Sequence, residues 1–263
     1  MIEAIILGAI QGITEFLPIS SSGHLIIIRE VLGLKNVGSL SFDAVLQLAT
    51  TLAVIVYFWK DLIALVRVRD TKKKILIWAI VVGTIPAAIL GFIFEQKIDS
   101  VFRNAHTVAW ALIAGSVLFF IAERYSAQRA LKNIDAGLIG QQKELSVLRG
   151  FWVGCFQVLA LIPGMSRSGS TISGGLLTGM KREEVVRFSF LLSVPILLGS
   201  GLKKLFDLGA SGTVDTSLVV GSLVAFVVGL ASIHFLIKYL QKHTLNVFIV
   251  YRILLAVVVL LFL

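Results

Sequence analysis

Continuous apolar runs, each long enough to cross a lipid bilayer as a helix, recur along the chain. About 20 helical residues span a hydrocarbon core roughly 30 Å thick. Because the runs are unbroken rather than alternating, they predict helices and disfavour a transmembrane β-barrel. The six predicted spans lie at roughly 43–59, 75–94, 106–123, 185–203, 216–237 and 246–263.

Two further apolar regions, 1–34 and 149–180, are interrupted by clusters of Pro, Gly and Ser. The breaks lie at 16–23 and 163–171. The arms on either side of each break are too short to cross a bilayer. Non-helical backbone at membrane depth is tolerated where protein or a polar cavity surrounds it. Each region therefore predicts a re-entrant helix–loop–helix hairpin.

The two broken regions and their flanks share residues at a constant offset of 146. This offset predicts two repeats, at about 1–123 and 147–263, joined by a linker at about 124–146 within a single membrane domain. Each repeat holds three spans, an odd number, so the second repeat should enter the membrane inverted. The predicted fold is an all-α integral membrane protein with six transmembrane helices, two re-entrant hairpins and an inverted-topology repeat. The matched pairs are Gly8/Gly154, Gln11/Gln157, Ser20/Ser166, Ser22/Ser168, Gly23/Gly169, Phe42/Phe188, Leu46/Leu192 and Asp61/Asp207.

Charge refines this topology. Only 15% of residues are charged, too few to cover a soluble domain of this hydrophobicity, and the net charge is +9. Lys and Arg cluster at 60–74, 124–149, 181–187 and 238–242, which share one side in the six-span arrangement. The positive-inside rule makes that side cytoplasmic and places both termini outside. Because the basic residues lie between spans, they do not indicate nucleic-acid binding.

The first break carries a candidate acid/base site. Gln11 and Glu15 lie four residues apart and share one helix face. A carboxylate in an apolar arm is costly unless a cation, proton or metal compensates it. Ser21 and His24 follow closely, and they can supply a nucleophile and a proton carrier. One of the neighbouring serines is expected only to cap the next helix.

The second break carries a candidate anion site, the segment 166–171. Backbone N–H groups at a helix N-terminus bind anions, and the planar guanidinium of Arg167 suits phosphate. The hydroxyls of Ser166, Ser168 and Thr171 add donors. Together the two tips predict a phosphate-binding pocket within the membrane, suited to a substrate with an apolar tail. Arg252, in the last span, is either a second phosphate contact or a structural partner.

The motifs Gln11-x-x-x-Glu15 and Pro163-Gly164-x-Ser166-Arg167-Ser168-x-x-Thr171, with Ser21-x-Gly23-His24, resemble the bacterial undecaprenyl-diphosphatase family, the bacitracin-resistance proteins. The resemblance covers nearly the whole chain. It implies hydrolysis of undecaprenyl diphosphate in the bacterial inner membrane, at a site open to the outer face, for recycling of the cell-wall carrier lipid. Many members have Glu where this chain has Gln11, so the acidic role is expected to rest on Glu15 alone, and Gln11 is expected to contact the substrate phosphate as a neutral hydrogen-bonding group.

The hypothesis for the reaction is in-line attack on the terminal phosphorus. Ser21 is the predicted nucleophile, with Glu15 or His24 taking its proton, and His24 as nucleophile is the close alternative. Mg²⁺ or Ca²⁺, shared between substrate and Glu15, is the expected cofactor. The alternative function is a polyprenyl-phosphate flippase using the same phosphate site. Membrane lipids are the other expected partners, and a homodimer is left open.

Overall fold

The computed structural model describes residues 1–33, 40–66, 70–136, 143–209 and 216–263. Apart from an isolated bridge between Lys143 and Met180, the regular structure of these residues is helical. A 3₁₀ turn, Leu159–Leu161, continues the seventh helix. The helices are α1 (Ile2–Thr14), α2 (Ser21–Val31), α3 (Leu40–Tyr57), α4 (Trp59–Val66), α5 (Thr71–Val101), α6 (Ala105–Asp135), α7 (Val147–Val158), α8 (Arg167–Leu177), α9 (Arg182–Gly209), α10 (Thr216–Lys242) and α11 (Asn246–Phe262).

Four of the described helices are long and apolar enough to cross a membrane: α5, α6, α9 and α10. The first predicted span appears as a pair, α3 and α4, bent by 73° at the residue between them. The sixth is α11, an apolar helix of 17 residues, which is about 25 Å long at 1.5 Å per residue. The chain is therefore a multi-pass helical membrane protein, although the described helices do not all have the length that the six-span prediction gave them.

The surface of the helix bundle is apolar, as a lipid environment requires. Phe92, Phe206 and Phe262 are each more than three-quarters exposed. In contrast, the residues around the two predicted breaks are interior. Phe16 is fully buried and packs edge-on against Phe190, with ring centroids 5.7 Å apart.

Small residues let the short arms lie close to long helices. Gly154 of α7 packs against Gly83 of α5, and a Cβ on Gly154 would overlap the Gly83 backbone. Gly8 of α1 packs in the same way against Gly221 of α10. Close backbone approach at small residues is a common basis of helix association in membranes. These contacts anchor the first arm of each broken region.

Three of the four basic clusters meet at one end of the bundle, because ion pairs join their segments, and the Leu245 backbone N–H, just after the fourth, donates to Glu123 at that end. Residues 67–69 and 137–142, which belong to two of these segments, lie outside the described residues. The opposite end carries another ion pair, between Arg29 and Asp43. The pairs at the basic end are Lys72 with Glu144, Arg187 with Asp61, and Arg182 with Glu123.

Candidate active site at the two helix breaks

The two breaks adopt matching backbone geometry. Ser20 and Ser166 have φ values of +75° and +71°, and among the described residues they are the non-glycine residues with positive φ. Each serine caps the helix that follows it, with Oγ accepting from the N–H of Gly23 at 3.4 Å and of Gly169 at 3.3 Å. Such strained conformations persist where surrounding contacts impose them, and they cluster at functional sites.

The tips of the two broken regions contact each other directly. Gly164 donates its backbone N–H to Ser20 Oγ at 3.0 Å. In the other direction, Ser168 Oγ donates to the Leu17 carbonyl at 3.3 Å. Residues about 150 positions apart are therefore fixed against one another by reciprocal hydrogen bonds. The expectation that the tips meet is confirmed.

Arg252 donates hydrogen bonds to both tips. Its side chain is fully buried, and it donates to the Gly164 carbonyl at 2.9 Å and the Pro18 carbonyl at 3.4 Å. Its guanidinium also lies over the Phe119 ring, 4.6 Å from the centroid. Gly115 of α6 lacks a Cβ that would occupy the same space. Of the two interpretations of Arg252, the structure supports the structural one.

Glu15 is the centre of the polar contacts at the tips. It is 6% exposed, and its Oε2 accepts from Ser21 Oγ at 2.7 Å and from Gln11 Nε2 at 3.0 Å. Its other oxygen, Oε1, accepts from Arg167 Nη2 at 2.9 Å. The predicted acid, hydroxyl and cation are thus brought within hydrogen-bond distance. The guanidinium compensates a carboxylate that burial alone would destabilise.

Arg167 keeps part of its hydrogen-bonding capacity unused. Its Nε and Nη1 atoms are buried and have no hydrogen-bond partner within the described part of the chain. Arg167 also lines a cavity of about 470 Å³, together with Glu15, Ser21 and Ser166. A guanidinium that lines such a cavity and has N–H groups without a protein partner among the described residues is suited to bind phosphate oxygens.

The cavity is polar at the tips and apolar along its walls. Its apolar side is formed by α5, including Ala87 and Gly91, and by α9, including Pro195 and Leu197. It extends to exposed Phe92 and Lys203, and Asp43 and Arg103 also line it. Because Asp43 pairs with Arg29 at the end opposite the basic clusters, the cavity opens toward that end.

Three of the predicted site residues do not line the cavity. His24 Nδ1 donates to the Ser20 carbonyl at 2.7 Å, and its Nε2 contacts Tyr251 Oη at 2.8 Å. The Thr171 hydroxyl is fully buried and contacts Ser189 Oγ at 2.6 Å. Ser168 is occupied at the tip contact described above. These side chains support the tips, and direct phosphate contacts by Ser168 and Thr171 stay a prediction.

The sequence interpretation missed two residues around the site. Gln157 lines the cavity and is almost fully buried, and its only sequence signal is the repeat match to Gln11. Tyr251 contacts His24 and stacks on its ring, with centroids 5.7 Å apart. Nothing in the local sequence around Tyr251 signals this contact, which joins helices more than 200 residues apart.

The described residues do not offer a resident metal site. No three His, Cys, Asp or Glu side chains come together among them. Both oxygens of Glu15 already accept hydrogen bonds, one of them from a cation. A permanent divalent cation held only by protein ligands therefore does not fit this donor set.

Comparison with known proteins gives a consistent result. The family model described as bacitracin resistance protein BacA matches residues 4–258. An undecaprenyl-diphosphatase of Elusimicrobium minutum is 40% identical over 263 residues, covering 98% of this chain and 96% of that protein. An undecaprenyl-diphosphatase of Moorella thermoacetica is 41% identical, covering 98% of this chain and 96% of that protein. One of Thermobifida fusca is 40% identical, covering 99% of this chain and 89% of that protein.

Proposed function

The chain belongs to the bacitracin resistance protein BacA family, and we propose that it hydrolyses undecaprenyl diphosphate to undecaprenyl phosphate and inorganic phosphate. The observation that carries the proposal is the contact of Glu15 with both Ser21 and Arg167 at the polar end of a largely apolar cavity. This site combines a proton acceptor, a hydroxyl and a cation. The product would be the carrier lipid that cell-wall synthesis reuses.

The cavity suits the two chemically different parts of a lipid diphosphate. The walls from α5 and α9 would hold the first isoprene units, and the tips would hold the diphosphate. Nε and Nη1 of Arg167, which lack protein partners within the described residues, would donate to the terminal phosphate. Ser166 and the first-turn N–H groups of α2 and α8 add donors, because the first N–H groups of a helix have no intrahelical acceptor.

The proposed reaction begins with Ser21. Glu15 Oε2 is already 2.7 Å from Ser21 Oγ and would accept its proton. Ser21 Oγ then forms a bond to the terminal phosphorus while the phosphoanhydride bond breaks, and the leaving undecaprenyl phosphate takes the proton from Glu15. Glu15, again a carboxylate, would next deprotonate a water that attacks the phosphoserine; the bond to Ser21 Oγ breaks, inorganic phosphate leaves, and Ser21 Oγ takes the proton back from Glu15. Arg167 would stabilise the charge on the phosphoryl oxygens in both steps.

His24 would act through position rather than chemistry. Its ring bridges the Ser20 carbonyl and Tyr251, and it does not line the cavity. It would therefore fix the backbone that presents Ser21. This assignment favours Ser21 over His24 as the nucleophile.

The finer membrane arrangement is also part of the proposal. We place α11 and the bent α3–α4 pair as the two further spans, and the two broken regions as re-entrant hairpins of an inverted repeat. The matching conformations of Ser20 and Ser166 support the repeat. The basic end of the bundle would face the cytoplasm of a bacterial inner membrane, so that the cavity and both termini face outward.

A divalent cation would enter with the substrate. Diphosphate oxygens would supply most of its ligands, with Glu15 as the protein ligand, and the cation would neutralise part of the substrate charge. Full activity in excess chelator would remove this part of the proposal. The transporter alternative gains no support from the relatives, whose printed names describe a diphosphatase.

The test is phosphate release from undecaprenyl diphosphate by the purified protein in detergent. Wild type should release phosphate, and Arg167→Ala should lose about tenfold to a thousandfold in kcat, as when a donor to a developing anion is removed. Arg124→Ala, at an exposed arginine on α6, is the matched control and should keep wild-type activity. Absence of phosphate release by folded wild type would refute the proposed function.

A further inference from the structure

Gln157 is a buried amide without a hydrogen-bond partner. Its side chain is 2% exposed, and neither Nε2 nor Oε1 has a partner within the described part of the chain. Buried polar side chains are nearly always hydrogen-bonded, since an unsatisfied one loses its hydration without compensation. An apolar side chain of similar volume could fill the position of Gln157 in this core. Packing alone therefore does not explain an amide there.

Gln157 lies at the wall of the proposed substrate site. It lies in the last full turn of α7, just before the second break, and it lines the same cavity as Glu15 and Arg167. Arg167, whose Nε and Nη1 also lack a partner among the described residues, lines the same cavity. Two residues with unpaired donors, from different elements, therefore line one cavity whose polar end would take the diphosphate.

Comparison with Gln11, its repeat partner, shows how the two glutamines differ. Gln11 donates to the carboxylate four residues later, Glu15. Four residues after Gln157 the chain has Leu161, which offers no side-chain acceptor. The same side chain at the same place in the two repeats therefore has an internal acceptor in one and none in the other.

We propose that Gln157 is a substrate-binding residue whose Nε2 donates a hydrogen bond to a diphosphate oxygen beside Arg167. The inference rests on the proposed function and assigns a further residue to that site. A neutral amide adds a donor without adding a second permanent charge. It thereby strengthens binding of the diphosphate while leaving the released phosphate less tightly held than a second guanidinium would.

The principal test is Gln157→Leu, measured by kcat/KM for phosphate release and by the thermal unfolding temperature in detergent. We expect kcat/KM to fall about tenfold or more, and each factor of ten corresponds to about 1.4 kcal/mol. The unfolding temperature should stay equal or rise, because leucine removes the unsatisfied amide. Gln128→Leu, at an exposed glutamine on α6, is the matched control and should change neither quantity.

A second variant, Gln157→Met, guards against a packing defect specific to leucine. Inorganic pyrophosphate is the binding probe, and it should raise the unfolding temperature of wild type and of Gln128→Leu by the same amount and that of Gln157→Met by clearly less. If either folded Gln157 variant keeps kcat/KM within about twofold of wild type, or keeps the full pyrophosphate shift, the inference is overturned. If both variants fail to fold, the amide is structural and the inference is equally overturned.

These outcomes differ from a failure of the proposed function. If folded wild type binds pyrophosphate but releases no phosphate from the lipid diphosphate, the reaction assignment fails. The Gln157 contact would still be tested by the pyrophosphate shift. If wild type is active and Gln157→Leu matches it, only the Gln157 contact fails.

Discussion

Replacement of Glu15 by glutamine is the sharpest single test of the site. The substitution keeps the shape of the side chain and removes its charge and its capacity to accept a proton. Three donors now converge on the two carboxylate oxygens: Ser21 and Arg167, at 2.7 and 2.9 Å, and the amide of Gln11. A glutamine at this position must turn its own NH₂ group toward one of these three donors, and two hydrogen-bond donors then face each other.

The size of the effect follows from these contacts. Removing one partner of a buried ion pair costs roughly 3–5 kcal/mol, and we expect about 3 kcal/mol because Arg167 faces a cavity. Loss of the proton acceptor should lower kcat by about 10²–10⁴-fold in addition to any effect on folding. The fall in kcat should therefore persist at temperatures where the variant remains fully folded.

The assay is phosphate release from undecaprenyl diphosphate, with thermal unfolding followed on the same preparation. Glu30→Gln, at an exposed carboxylate near the end of α2, is the matched control and should match wild type in both measurements. If Glu15→Gln retains kcat within about tenfold of wild type, Glu15 is not the proton acceptor. The reasoning from its hydrogen bonds to its role would then be wrong.

Three further substitutions test other parts of the structure. Ser21→Ala should abolish the acid-stable phosphoserine that rapid quenching traps in wild type, whereas an acid-labile phosphohistidine at His24 would contradict the assignment. Arg252→Met should lower the free energy of unfolding by about 2–4 kcal/mol, because buried carbonyls of both tips lose a hydrogen-bond donor. An unchanged unfolding temperature would refute the structural role of Arg252. Gly154→Val should prevent close packing of α7 on α5 and strongly lower the unfolding temperature. Gly199→Val, whose added side chain meets open space, should leave the unfolding temperature unchanged. Equal effects of the two substitutions would contradict the packing argument.

Polar residues inside apolar segments were the strongest sequence signal, and the structure shows why. A carboxylate or guanidinium in a membrane helix needs compensation, so the sequence positions of Glu15 and Arg167 alone indicate a site. They indeed form an ion pair. The two helix breaks are equally predictable from the sequence, because proline, glycine and serine clusters interrupt long apolar runs.

The ends and bends of the helices are less predictable from the sequence. α5 and α6 each extend to 31 residues, beyond the predicted 75–94 and 106–123, because hydropathy reports where lipid contact ends rather than where hydrogen bonding ends. The bend between α3 and α4 has no proline or glycine to mark it.

The sequence by itself determined the class of the protein, the two breaks and the residue types available for chemistry, since apolar length and polar exceptions are local properties. Only the tertiary structure decided which side chains face the cavity. Successive residues of a helix differ by about 100° in direction, so the rotation of each arm placed Ser21 on the cavity and Ser168 at the tip contact. Contacts between distant segments, which no local spacing encodes, assigned Arg252 to the tips. They left Gln157 on the same cavity as Arg167, without a protein partner among the described residues.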